Sequence, residues 1–267
     1  MQVQKTGISF VLSIIVTVMA AFTSAAGLFV KDIYRDNEFV QTAWCGNDWV
    51  TLVVIVPAFY FILFAAGGDT LKLQLLWMGL ISYLVYNYAF YLFGAAFNNL
   101  FLVYVAIFSV SLFALISGLS SFSAYQISSA SKAVRWVSIY LLLIAVMLCI
   151  VELPSIFDFI TDAKTPDIIQ KTNYPTSVVY ALDLSLVVPV MILAAVLLWQ
   201  NKTWGFILAS LMLIKGFTYG LVLTVGTILL AMKDIKDPLL PAWILITTGG
   251  LAGFLFLFSK ANVSSST

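Results

Sequence analysis

The chain has 267 residues, of which 62% are hydrophobic and only 9% are charged, with a net charge of +1 and a mean hydropathy of +1.06. A soluble domain is about one quarter charged, so this composition excludes one and makes lipid the solvent of most of the chain. The near-neutral charge without a basic tract excludes nucleic-acid binding, and the absence of His removes the commonest metal ligand, haem ligand and neutral-pH base.

Apolar stretches predict eight helices, at about 7–30, 49–67, 72–93, 99–122, 136–154, 177–199, 203–232 and 242–259. The expected fold is an all-α integral membrane protein, one polytopic domain over residues 1–267. The first stretch follows Lys5 and carries small residues at Ser24-Ala25-Ala26, as a cleavable signal would. It is long for such a segment and is read as a retained helix. The seventh stretch is too long for an upright crossing; tilting, protrusion or a break near Gly216, Gly220 or Gly226 would accommodate it. The fifth is expected to end at Leu153-Pro154, which makes Glu152 an interfacial carboxylate, with pairing to Lys215 open to it if the helix tilts.

With the amino terminus in the cytoplasm, Lys5, Lys72, Lys132, Arg135, Lys202 and Lys260 face inward with Asp69, in short connections. Six basic residues, including Lys236, also face outward, so density rather than number gives the orientation. The outer connections hold most acidic residues, among them Asp36, Glu38, Asp48 and Asp237. This places a multi-pass protein in the cell membrane with both termini cytoplasmic. All seven tryptophans read as interfacial anchors, with Trp77, Trp136, Trp199 and Trp204 on one side and Trp44, Trp49 and Trp243 on the other. Cys45 and Cys149 read as inert thiols rather than a disulfide.

The two halves share a rhythm. The second helix of each contains Val-Pro, at Val56-Pro57 and Val188-Pro189, and the next helix of each contains Leu-Ile followed by Tyr, at Leu80-Ile81…Tyr86 and Leu213-Ile214…Tyr219. Two parallel four-helix repeats, 1–127 and 136–260, and a chance likeness between apolar segments both account for this. Each proline deprives a carbonyl one turn earlier, near Val53 and Ser185, of its helical donor. The serines closing the fourth helix, Ser117, Ser120, Ser121 and Ser123, favour close packing, as do Gly249 and Gly253 in the eighth.

Lys215 is the residue that stands out. It lies about 12 residues, or roughly 18 Å, into the seventh helix, where a charge is costly. Asp183 lies at a matching depth on the preceding antiparallel helix, so an Asp183–Lys215 pair is expected, as a lock or as the wall of a ligand site. Tyr83 and Asn87 stand one turn apart on the third helix with Tyr86 beside them, and Lys215, Thr218 and Tyr219 share a face of the seventh. The candidate buried polar or ligand site is therefore Lys215, Asp183, Asn87, Tyr83 and Tyr219.

Transport of a small solute or ion is the leading functional reading, with Lys215 neutralising an anionic group that Asn87, Tyr83 and Tyr219 orient. A noncatalytic scaffold or accessory protein is the alternative. An intramembrane enzyme or chromophore protein built on Lys215 is third, since no Gly-x-Ser-x-Gly, His-Glu-x-x-His or phosphate-loop motif is present. No metal, cofactor or catalytic residue is assigned. The expected partners are the lipid bilayer and a small solute or ion, with no nucleic acid and no identifiable protein partner.

Overall fold

The computed structural model describes residues 8–65, 71–122, 125–129, 131–235, 238–260 and 262–265. Lys5, Asp69, Ser123, Lys236 and Asp237 lie outside the described residues. The protein is an all-α membrane protein. Eight helices are long and apolar enough to span a bilayer: Phe10–Phe29, Glu38–Leu63, Leu71–Gly94, Phe101–Ser120, Lys132–Asp162, Val178–Trp199, Thr203–Ala231 and Leu240–Lys260.

Two of them form the centre. In the third and seventh spans 78% and 67% of the hydrophobic window is buried, against 22–44% in the others. The seventh packs against the second, third, sixth and eighth, the third also against the fourth, and the first closes on the second and fourth. The outer six helices carry most of the exposed apolar side chains, such as Leu102, Phe113, Leu143 and Leu255, as a lipid-facing surface requires.

Two boundaries depart from the sequence reading. The second span starts at Glu38 rather than 49, because the Asn37 side chain caps it by accepting from Val40 N at 3.0 Å and Glu38 occupies the first turn. Asp48 is thereby carried into the bundle, and Asp36 is buried beside it. The fifth helix runs through Pro154 to Asp162 and ends on Ala163 in the left-handed conformation (φ 53°), so Glu152 is buried at 3% exposure instead of interfacial. The seventh keeps its expected extent, as an unbroken α-helix over Thr203–Ala231 with Gly216, Gly220 and Gly226 inside it.

The prolines act as their chemistry predicts. A five-residue π segment, Thr51–Ile55, directly precedes Val56-Pro57, and another, Asp183–Val187, directly precedes Val188-Pro189. Each lets the helix pass a residue that has no N–H. A single shift of 132 residues carries Pro57 onto Pro189, Thr51 onto Asp183 and Tyr83 onto Lys215. Thr51 and Tyr83 are hydrogen-bonded at 2.8 Å, and Asp183 and Lys215 are an ion pair at 3.8 Å. The two contacts thus occupy equivalent positions, while the Leu-Ile…Tyr match lies one residue out of this register.

The connections sort onto two faces. On the face where the first span begins, β1 (Tyr125–Ser128) pairs antiparallel with β2 (Asn262–Ser265), the two strands found among the described residues. Ser129 Oγ donates to Lys260 O at 2.7 Å, Ser129 N to Asn201 Oδ1 at 2.9 Å and Ile127 N to Thr203 Oγ1 at 3.1 Å, which ties three connections together. On the far face Asp36 is the knot. It accepts from Tyr174 OH at 2.6 Å, Ala96 N at 2.9 Å and Trp44 Nε1 at 3.2 Å. Burial first, then the bond to Asp36, pushes the Tyr174 hydroxyl well above its ordinary range, so it remains a donor.

Two of the seven tryptophans are not interfacial anchors. Trp44 and Trp77 are buried at 1% and 6% because their N–H groups find inner acceptors, Asp36 and Ser13. Trp49, Trp136, Trp199 and Trp204 are exposed on the bundle surface. Cys45 and Cys149 are free, partly buried thiols. Gly250 and Gly253 of the eighth helix face the backbone of Leu213 and Phe217 and the side chain of Leu213, so the small-residue stripe serves packing within the chain.

Candidate functional site

Lys215 projects from the central seventh helix at 6% exposure, and its Nζ lies 3.8 Å from Asp183 Oδ1. At that distance the contact is one of charge rather than a hydrogen bond, which leaves the ammonium's donors open to a small polar partner. Asp183, also 6% exposed, begins the second π segment. Its Oδ1 accepts from Tyr86 OH at 2.7 Å.

Aromatic rings complete the ammonium's surroundings. Nζ stands 3.7 Å from the centre of the Tyr86 ring and 5.1 Å from that of Tyr219. The two rings meet edge to face, 4.7 Å apart at 76°. Such an arrangement holds a cation by its charge on the ring faces and fixes it laterally. Glu152 of the fifth helix enters from a third side, its carboxyl within hydrogen-bond reach of that of Asp183 and facing Lys215, while its Oε2 is buried with no hydrogen-bond partner. Four spans therefore meet at one ammonium and two carboxylates.

The expected group is brought together only in part. Lys215, Asp183 and Tyr219 form one centre. Tyr83 turns instead towards the second span, bonding Thr51 Oγ1 at 2.8 Å and donating to Asn47 Oδ1 at 3.4 Å. Asn87, 1% exposed and one turn beyond Tyr83, has neither amide nitrogen nor oxygen bonded. A buried amide left unpaired costs about 1–3 kcal/mol, which marks its surroundings as a place for a polar guest.

The sequence reading set Tyr86 beside the group without counting it in, and gave Glu152 a pairing with Lys215 only if the helix tilts. Tyr86 was legible, since it lies three residues after Tyr83 on the same helix, towards the depth of Asp183. Glu152 was hidden by Pro154, taken as a terminator.

A second polar cluster lies towards the far face around Asp48, which is 2% exposed. Tyr34 OH donates to its Oδ2 at 2.5 Å and Tyr91 OH to its Oδ1 at 3.1 Å. Burial, and then the Asp48 carboxylate, push the Tyr34 hydroxyl well above its ordinary range, so Tyr34 stays protonated. Trp44 stacks on Tyr91 with centroids 4.2 Å apart. Gly27 of the first span gives the carboxylate its seat, for a Cβ there would lie 2.0 Å from Asp48 Oδ2.

No family model, curated protein or solved structure matches this chain.

Proposed function

We propose that the protein transports a small solute or ion across the cell membrane, with both termini in the cytoplasm, and that cargo binds at Lys215, Asp183 and Glu152. The observation that carries this reading is the convergence of one ammonium and two carboxylates inside the bundle, with Glu152 Oε2 unpaired. A purely structural pair has no use for a second buried carboxylate, whose desolvation is costly. The ammonium beside two adjoining carboxyls offers both donors and acceptors, which favours a zwitterion or another small polar solute over the anion that Lys215 alone suggests. The matched π segments and the equivalent Thr51–Tyr83 and Asp183–Lys215 contacts support two diverged four-helix halves, with the polar pair of one half replaced by charges in the other.

The Tyr86 ring, 3.7 Å from Nζ, occupies space that a polyene joined to that nitrogen would need, which weighs against a chromophore. Uptake into proteoliposomes of a panel of amino acids, primary amines and quaternary amines tests the proposal. At least one member is expected to accumulate, with uptake reduced at least about tenfold by Glu152→Gln, the change that one lost charged hydrogen bond produces. No uptake by well-folded protein across the panel would favour the scaffold reading.

A further inference from the structure

Asp48 lies in a setting unlike that of Asp183. Among the described residues no Lys or Arg faces it, and the groups acting on it are the hydroxyls of Tyr34, Tyr91 and Ser24. The first span contributes Thr23, Ser24 and Gly27, none of which titrates near neutrality; Thr23 is bonded to Tyr88 OH at 2.6 Å. The third contributes the phenols of Tyr83, Tyr88 and Tyr91, and the fourth that of Tyr104. On its own helix the titratable neighbour is Cys45, which also feels Lys233. The seventh span meets the second through Gly226 against Gly46, with no charge. Lys233 is itself engaged at the far face by Glu38 at 3.1 Å, and Asp36 acts on Tyr104.

Two oxygens in this cluster are buried without a hydrogen bond of regular geometry, Ser24 Oγ, which lies in reach of Asp48, and Tyr104 OH. They bear on the chemistry of the carboxylate. Ionised Asp48 needs donors, and Tyr34 and Tyr91 supply them. A neutral Asp48 needs one acceptor for its own O–H, and the Ser24 hydroxyl, free to rotate, can turn from donor to acceptor in reach of it. The cluster is thus furnished for both protonation states, in a place where a permanent unpaired charge is expensive.

We propose that Asp48 reversibly binds a proton taken from the face where Asp36 and Tyr34 lie and, on the transport reading above, that this proton is the coupling ion. Loading forms one O–H bond on the carboxylate and breaks one on the hydronium that delivers it, with no redox partner. Asp48 stands one turn before the Thr51–Ile55 π segment. Its neighbour Asn47 accepts from Tyr83, which also bonds Thr51, so a change of charge at Asp48 is felt at the irregular turn of the second helix.

Trp44, stacked on Tyr91, reports the event. The full chain, purified in detergent, is titrated with acid and base while tryptophan emission is followed, and the Trp44→Phe trace is subtracted. A single-proton transition is expected, the same in sodium and choline chloride and lost in Asp48→Asn. Tyr34→Phe removes a donor to the ionised form and moves the midpoint by about tenfold towards lower proton concentration. A transition that persists in Asp48→Asn overturns the proposal, as does a saturable response to sodium at fixed pH, which would make the site one for a metal cation. If Asp48→Asn does not fold, the midpoints of Tyr34→Phe and Tyr91→Phe decide, and unchanged midpoints overturn it. The titration uses no cargo. A proton transition without uptake therefore removes transport and keeps the site, while uptake without the transition removes the site and keeps transport.

Discussion

Replacing Lys215 with Met is expected to destabilise the bundle by about 3–5 kcal/mol, the cost of leaving buried charge without its partner. The loss has a specific origin. The adjoining carboxyls of Asp183 and Glu152 would lose the cation beside them, while Tyr86 would still donate to Asp183. Asp183→Asn is expected to do less damage, because Lys215 keeps Glu152. The combined Lys215→Met and Asp183→Asn protein recovers only part of the loss, since Glu152 remains buried without its cation, and adding Glu152→Gln recovers most of the remainder. Equilibrium unfolding in mixed micelles with increasing dodecyl sulfate measures all four proteins. A Lys215→Met protein as stable as the wild type would mean that water already surrounds the carboxylates, and the dry charge cluster would be the wrong picture.

The second large effect is expected at Gly205, and it is steric. The sixth span ends at Trp199 and the seventh starts at Thr203, with Asn201 in the left-handed conformation (φ 57°) between them. Gly205 then sits against the last turn of the sixth helix. A Cβ there would lie 2.2 Å from Leu198 N and 2.4 Å from Leu197 C, both backbone atoms that no rotamer can move. Gly205→Ala must push the two helices apart, at a cost of about 3 kcal/mol. Gly216→Ala on the same helix is the control. The nearest atom to its Cβ is Ile246 Cγ2 at 3.8 Å, an ordinary contact, so the gain in helix propensity of up to about 1 kcal/mol should appear as stabilisation. The same unfolding assay reads both; equal effects at Gly205 and Gly216 would refute the packing argument.

Much of this was written plainly in the sequence, and what was not had a physical reason. Eight spans follow from the cost of backbone and charge in hydrocarbon, which leaves few alternatives for a chain this apolar. The Asp183–Lys215 contact followed from depth alone, since two opposite charges at one level on adjacent helices have little else to do. Asp48 escaped because Gln41, Asn47 and Asp48 depress the hydropathy of the helix that starts at Glu38. The better signal was the cap, Asn37 followed by Glu38, which marks a helix start whatever the solvent. Glu152 was assigned to the interface because a proline was read as an end. Within a membrane, neighbouring helices let a chain run past one, and here it continues for two further turns to Asp162. Tyr83 was placed with Lys215 because it lies on the right helix at a fitting height, but facing is settled by which neighbour lies on which side, and that is a tertiary fact.

The burial of the third span has a consequence for how the protein is made. Its window has a mean hydropathy of 1.3, the lowest of the eight, and its inner faces hold Gln74, Ser82, Tyr83, Tyr86, Asn87, Tyr88 and Tyr91. On leaving the ribosome such a segment gains little by entering lipid alone, and the helix that covers one of its sides, the seventh, is synthesised more than a hundred residues later. The nascent third helix must therefore wait beside the insertion machinery, or lie against the first, second and fourth spans with one polar flank uncovered, until the second half arrives.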